Sequence, residues 1–225
     1  MVLKDAQFTL LADAEHAADA ITVKRLELAS GDAQLLASGM LRLTEGKAFS
    51  AKGELRQFDP SRFASLPKAR INARFDTRGH ITPSPVIDAQ IDLTDSQYAG
   101  LPLTGHGRIN MAWPQIAQAD IALAAGPNRL TAEGSFGRPQ DRLKIDIDAP
   151  HLAPFGLDGS LRGQLELAGS IEQPRLALNL ESPRLGYRGI GQVSGLKLRA
   201  NLAGERDAPL SLDLSLARLD TATQP

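Results

Sequence analysis

The sequence predicts an all-β fold: an elongated, repetitive antiparallel sheet curled into a half-open groove (a β-taco) with an apolar interior. Three observations carry this expectation. Apolar and polar residues alternate with a period of two from about Phe49 onward, turn signals rich in Gly and Pro separate the alternating runs, and similar units start 35 residues apart late in the chain.

Period-two alternation places one set of side chains on one face of a strand. Residues 1–45 carry the least of it. Asp13 to Ala20 is Ala-rich and reads as a loose strand and loop rather than a helix. Phe58-Asp59-Pro60-Ser61-Arg62-Phe63 offers Asp as an N-cap and Pro at a first helical position. It predicts a short helical turn within 58–66, crossing an end of the sheet. Strands follow at Ile71–Phe75, Ile87–Leu93, Leu143–Ile147, Leu161–Leu167, Leu176–Leu180 and Leu210–Leu216. Between them lie Thr82-Pro83-Ser84-Pro85, Ala125-Gly126-Pro127-Asn128, Gly137-Arg138-Pro139 and Glu172-Gln173-Pro174. Gly supplies positive φ and Pro stops a ladder, so these segments end strands. The links are too short for helical crossovers, which makes the strands antiparallel hairpins in a meander.

The repeats sharpen the picture. Gly134-Ser135-Phe136 leads through Pro139 to Leu143, Ile145 and Ile147, then to Ala149-Pro150-His151-Leu152. Gly169-Ser170-Ile171 leads through Pro174 to Leu176, Leu178 and Leu180, then to Ser182-Pro183-Arg184-Leu185. A weaker copy runs from Gly204 through Pro209 to Leu210, Leu212 and Leu214, and a further relative begins at Gly79-His80-Ile81. Divergent copies of one unit argue for a stacked, quasi-one-dimensional sheet, here a fragment, 1–225, of a longer repetitive domain.

Composition narrows the function classes. The 25 basic and 26 acidic residues are scattered, unlike the clustered cations of a nucleic-acid binder. With no Cys, disulfides, thiolate metal sites and a Cys nucleophile are excluded. No apolar run is long enough for a transmembrane helix, and Met1-Val2-Leu3-Lys4-Asp5 does not open a signal peptide. An anchor, if the protein has one, is expected outside this chain.

Candidate chemistry is sparse. His16, His80, His106 and His151 fit no metal spacing and read as surface or loop residues. Asp146 and Asp148 lie at i and i+2 on the polar side of a strand, which reads as a solvated face rather than an acid/base pair. The glycines of Gly186–Gly191 lack the helix a phosphate loop needs, so a turn is expected. No catalytic constellation, metal site or cofactor is expected.

An apolar sheet face has to be covered. The period fits a filled sandwich as well as a groove, and the repeats favour the groove because each unit adds strands to the end of one sheet. Aromatics are only 4% of the residues, so a Leu- and Ile-lined space would be left partly unfilled. About a dozen strands are expected. An acyl chain gains about 0.8 kcal/mol per buried methylene. It has nearly the same gain in a bilayer, so exchange between the two is close to neutral.

Several elements also resemble a family. Phe58-Asp59-Pro60-Ser61 matches its FDPS element, and Asn128-Arg129-Leu130 with Gly134 and Gly137 matches an NRLxxxGxxG element. Asp141-Arg142-Leu143, with Ala149-Pro150-His151-Leu152, looks like a DxLxxxxxAPxL element. Gly159-Ser160-Leu161-Arg162-Gly163, Leu167-Ala168-Gly169-Ser170 and Pro174-Arg175-Leu176 continue the series. Over roughly Phe49 to Leu202 the chain is similar to the TamB family of AsmA-like bridge-type lipid-transfer proteins. The resemblance implies a periplasmic protein anchored in the inner membrane of Gram-negative bacteria. It implies phospholipid transport towards the outer membrane and a role in outer-membrane protein assembly. It also implies an Omp85-like TamA partner, docking through regions outside this fragment.

Lipid tails are then expected against the inward positions. These are Ile91 and Leu93, Ile109, Met111 and Trp113, and Ile121 and Leu123. They continue through Leu143, Ile145 and Ile147, Leu165 and Leu167, Leu178 and Leu180, and finally Leu198 and Leu212. Trp113 shares the parity of Ile109 and Met111 and is expected to point inward. The alternatives are a chaperone that holds outer-membrane strands by β-augmentation, and a structural repeat protein with a filled core.

Overall fold

A computed structural model describes residues 7–44, 46–62, 66–187, 190–204 and 210–221. Its contacts divide the chain into two units, residues 1–113 and 114–225. Both are all-β and antiparallel, and apart from β11 and β16 their strands follow one another across the sheet in chain order.

The N-terminal unit holds β1 (Thr9–Ala17), β2 (Ala20–Ser30), β3 (Ala33–Arg42), β4 (Ala48–Phe58), β5 (Ala69–His80), β6 (Val86–Tyr98) and β7 (Leu101–Ala112). The C-terminal unit holds β8 (Gln115–Ala125), β9 (Asn128–Phe136), β10 (Arg142–Ala149), β11 (Leu157–Gly159), β12 (Leu161–Gly169), β13 (Pro174–Tyr187), β14 (Gly191–Leu202), β15 (Leu210–Ser215) and β16 (Arg218–Thr221). In the latter, β13 spans both β11 and β12, and β14 spans both β15 and β16. Among the described residues no pairing returns the last strand of either unit to its first, so neither sheet closes into a barrel. An open, curled sheet is the result.

The described residues thus contain sixteen strands, more than the dozen expected. The surplus lies partly before residue 45, where sequence alternation is hard to see. In β2 the register slips between Val23 and Leu26, so the inward set passes from Ile21 and Val23 to Leu26 and Leu28 with a change of parity. The Ala-rich stretch is strand β1 followed by a turn into β2. Of the segment 58–66, Pro60–Arg62 forms one 3-10 turn, while residues 63–65 lie outside the described residues.

Bulges bend the N-terminal sheet along one line. Registers shift between Leu55 and Phe58, between Arg70 and Ala73, and between Leu93 and Ser96. Gln57 and Asp95 take positive φ there, 53° and 43°. Such insertions increase local twist and curl a sheet. The interrupted ladder is rescued by side chains. Gln57 N–H donates to Asn72 Oδ1 at 2.9 Å, Asn72 N–H to Ser96 Oγ at 2.8 Å, and Ser96 Oγ to Asn72 C=O at 2.9 Å. Ser96 is buried at 4% exposure, so these bonds remove unmade backbone partners that would be costly.

The same device recurs in the C-terminal unit. Ser182 sits beside Pro183 in β13, where no backbone N–H is available, and its Oγ donates to Ser160 C=O at 2.6 Å. At 1% exposure it is the largest fully buried side chain among the described residues. That fact decides between a filled sandwich and an open sheet. Among the described residues the buried apolar ones are Ala73, Ala119, Ala132, Ala149, Ala168 and Ala200, with only Leu143 and Leu152 larger. Two sheets clasped around a filled interior would bury their leucines and isoleucines.

Candidate functional site

The register turns alternation into rows. In the C-terminal unit, Leu123, Leu130, Ile147, Gly163, Leu180, Leu198 and Leu214 are successive cross-strand partners. The next row is Ile121, Ala132, Ile145, Leu165, Leu178, Ala200 and Leu212. A third holds Leu143, Leu167, Leu176, Leu202 and Leu210. In the N-terminal unit, Leu28, Leu35, Leu55, Ala73 and Leu93 form one row, and Phe75 with Ile91 belongs to the next. Ile87 partners Met111, and Ile109 partners Ala89.

Fifteen of the sixteen candidate positions therefore lie on the apolar face of their own unit. Ile91, Leu123 and Leu212 are exposed, Leu143 is buried, and the other eleven are half-buried. Trp113 departs from expectation. It follows the last residue of β7, lies on a turn and is 64% exposed. Parity places side chains only while a strand lasts, and β7 ends at Ala112. The rows also hold residues that sequence reading passed over, among them Leu28, Leu35, Leu55 and Phe75 in the N-terminal unit. Phe75 had a signal, since it closes the alternating run from Ile71.

The two faces differ in shelter and in charge. Along β7, Leu101, Leu103, Gly105, Gly107 and Ile109 are half-buried, while Pro102, Thr104, His106 and Arg108 are exposed. Carboxylates and guanidinium groups occupy the opposite face. Arg78 pairs with Asp88 at 2.8 Å, Arg162 with Asp148 at 3.0 Å and Arg142 with Glu166 at 3.1 Å, while Lys24 pairs with Glu15. These exposed pairs add little stability and keep this face wetted. Asp146 and Asp148 lie here, lining a shallow depression of about 560 Å³ with Arg129, Arg162, Gln164 and Glu181. Asp148 is already bonded to Arg162, as a solvated face requires. Among the described residues no group of His, Cys, Asp or Glu is placed to hold a metal ion.

Glycines set the depth of the apolar floor. A Cβ on Gly53 would lie 2.7 Å from Phe75 Cζ, so the ring rests over the glycine of the adjoining strand. Leu180 lies over Gly163 in the same way. Side chains that fold flat over glycines widen the space above the sheet.

Turns shape the two rims where strands end. Asp59 ties the 3-10 turn to β5, accepting from Ser61 N–H at 3.0 Å and from Ala69 N–H at 3.1 Å. Burial opposes its ionisation. The hydrogen bonds from Ser61 and Ala69 and the nearby Arg62 charge outweigh this and hold its carboxyl below the ordinary range. Arg62 Nη1 reaches Ser30 C=O at 3.2 Å, so the turn straps one sheet end. In the C-terminal unit a second 3-10 turn, Ala153–Phe155, follows the buried Leu152.

The model of the TamB N-terminal domain matches residues 4–225. The chain belongs to the TamB family. It is 24% identical over 177 residues to the translocation and assembly module subunit TamB of Haemophilus influenzae, covering 75% of this chain. It spans 13% of the length of that relative. No solved structure matches. Among the described residues no helix is long and apolar enough to cross a membrane.

Proposed function

We propose that this chain binds and conducts phospholipid acyl chains without chemistry, as a stretch of a periplasmic path from the inner to the outer membrane. The observation that carries the reading is an apolar face, sheltered relative to its opposite side, that protein side chains leave unfilled. Rows of mostly Leu and Ile, spaced by Gly163, Ala132 and Ala200, give a tail apolar contact at each step, so movement along them meets no deep trap. About 0.8 kcal/mol per methylene makes residence comparable with residence in a bilayer. Head groups would stay near the open side. Family membership supports the same reading.

The test uses Ile145→Arg and Leu178→Asp in a full-length protein that carries this chain. Both positions are half-buried on the apolar face, and a single charge there lacks a partner, so each substitution is made alone; together, two strands apart in one row, they would pair. Lipid delivery to the outer membrane is expected to stop while the protein still folds and accumulates. Normal delivery by either folded single variant would defeat the reading.

A second reading rests on a separate observation. β1 is exposed along its whole length and, among the described residues, pairs only with β2, so its other edge is free to take a further strand there. Such an edge can hold an extended strand of an outer-membrane protein by β-augmentation. The relative's name, a subunit of a translocation and assembly module, suits that role as well. Photo-crosslinkers at Ile145 and Leu178 would trap phospholipid under the first reading, and crosslinkers on β1 would trap a nascent barrel strand under the second.

A further inference from the structure

Two glycines of the apolar face, Gly53 in β4 and Gly163 in β12, keep φ outside the left-handed region. The backbone therefore does not call for glycine at either place. A glycine weakens a strand interior, so one kept there marks a demand for space. In both cases the space is taken by the side chain of the cross-strand partner, Phe75 of β5 or Leu180 of β13. Both partners are half-buried.

The two glycines also occupy corresponding places. Each is the second inward position from a break in its ladder. Leu55 and then Gly53 lead away from the register shift between β4 and β5. Leu161 and then Gly163 lead away from the shift where β12 gives way to β11 along β13. Across the strands the order is Ala37, Gly53, Phe75 and Ile91 in one unit and Ile147, Gly163, Leu180 and Leu198 in the other. A side chain lying over its neighbour covers two positions with one layer of atoms. The floor is lower over those two strands than over the full-sized side chain next in line, Ile91 or Leu198, which leaves a shallow step. One unit builds the step with Phe and the other with Leu, so its shape recurs while its residue changes.

A step in an apolar floor discriminates between tails. A straight, saturated chain bridges it and forfeits contacts on both sides of the gap. A chain with a cis double bond departs from a straight line and sets its bend into the step. We propose that Gly53 and Gly163 are positioning residues that hold Phe75 and Leu180 flat, so that the apolar face takes bent acyl chains in preference to straight ones. This rests on the lipid reading above and adds which tails the face selects.

Gly163 carries the test, because a side chain there displaces only the end of Leu180; the nearest backbone atom, Asn179 O, would stay 3.2 Å from the new Cβ. At Gly53 the Leu36 carbonyl stands in the way as well. The protein, with a photo-crosslinker at Leu198, is offered an equimolar mixture of dioleoyl- and distearoyl-phosphatidylglycerol dispersed in detergent. Mass spectrometry counts the two adducts, relative to those of the free crosslinker in the same micelles. The parent should favour the dioleoyl lipid about fourfold, the worth of one extra buried methylene. Gly163→Ala stands Leu180 up and should bring the ratio close to one, with the urea midpoint unchanged or raised because the backbone there suits alanine. Adding Leu180→Ala reopens the step and should restore the preference, and Leu180→Ala alone should keep it. Equal adducts from the parent, or an undiminished preference in folded Gly163→Ala, overturn the selection and leave the lipid reading standing. A preference lost in Gly163→Ala and not recovered in the double variant overturns the positioning role. If Gly163→Ala unfolds, Leu180→Ala alone decides: a preference kept supports the step and a preference lost overturns it. No adduct of either lipid on the folded parent brings down both readings.

Discussion

Truncating leucines on the apolar face should produce two distinct classes of cost. Leu143 is 4% exposed, closed in by the rim turn that Gly169 N–H holds to Asp141 C=O at 3.1 Å. Leu165 and Leu178, cross-strand partners on the same face, are half-buried. Leu143→Ala removes about 2.4 kcal/mol of transfer free energy at about 0.8 kcal/mol per carbon, and leaves a cavity, for a total of about 3–4 kcal/mol. Leu165→Ala or Leu178→Ala removes about half of that transfer and leaves no enclosed void, so about 1 kcal/mol is expected. Urea unfolding of lipid-free protein, followed by circular dichroism, measures both. Lipid crosslinking should rank the variants in reverse, with Leu178→Ala impaired and Leu143→Ala close to the parent. A loss of about 3 kcal/mol or more at Leu178 would show that protein covers this face, and the open-sheet argument would be refuted.

Two further expectations concern the polar nodes. Ser182→Ala leaves Ser160 C=O without the hydroxyl it accepts from, and should cost about 1–2 kcal/mol by the same urea measurement; no loss would mean that the carbonyl finds another donor. Asp59→Asn should cost about 1 kcal/mol at neutral pH, a modest figure because the carboxylate is partly solvated. The folded pKa lies below the unfolded value of about 3.9, so this stability is present above the unfolded value and is lost as pH falls through the folded one. The gap between parent and variant should therefore close in acid, and a gap independent of pH would exclude the carboxylate as its source.

Most of the apolar face could be read from alternation, because β10, β12 and β13 each run without a bulge through Leu143–Ile147, Leu161–Leu167 and Leu176–Leu180. The repeats have a structural counterpart: Leu143, Ile145 and Ile147, Leu176, Leu178 and Leu180, and Leu210, Leu212 and Leu214 all begin a strand after a turn at one rim and share one face. Pro209, within the third copy, lies outside the described residues. Bulges hid what alternation could not carry, as at Val23 and Leu26. Polar nodes were hidden for another reason. Ser182 and Ser160 stand 22 residues apart, and a lone serine in an apolar run gives no sign of which carbonyl it will meet. The exposure of Trp113 was invisible because its neighbours Ile109 and Met111 obey a strand geometry that it has already left.

Strand order also bears on how such a chain acquires its structure. Apart from the β11 and β16 branches, strands in each unit bond to those just before and after them, so contacts are local in sequence for a protein with this much sheet. Local contacts carry a small loop-closure penalty and shorten the search. A polypeptide delivered N-terminus first could zip up hairpin by hairpin, each new strand finding a template already in place. Little greasy surface need await a distant segment, an advantage for a molecule whose exposed leucines would otherwise invite clumping.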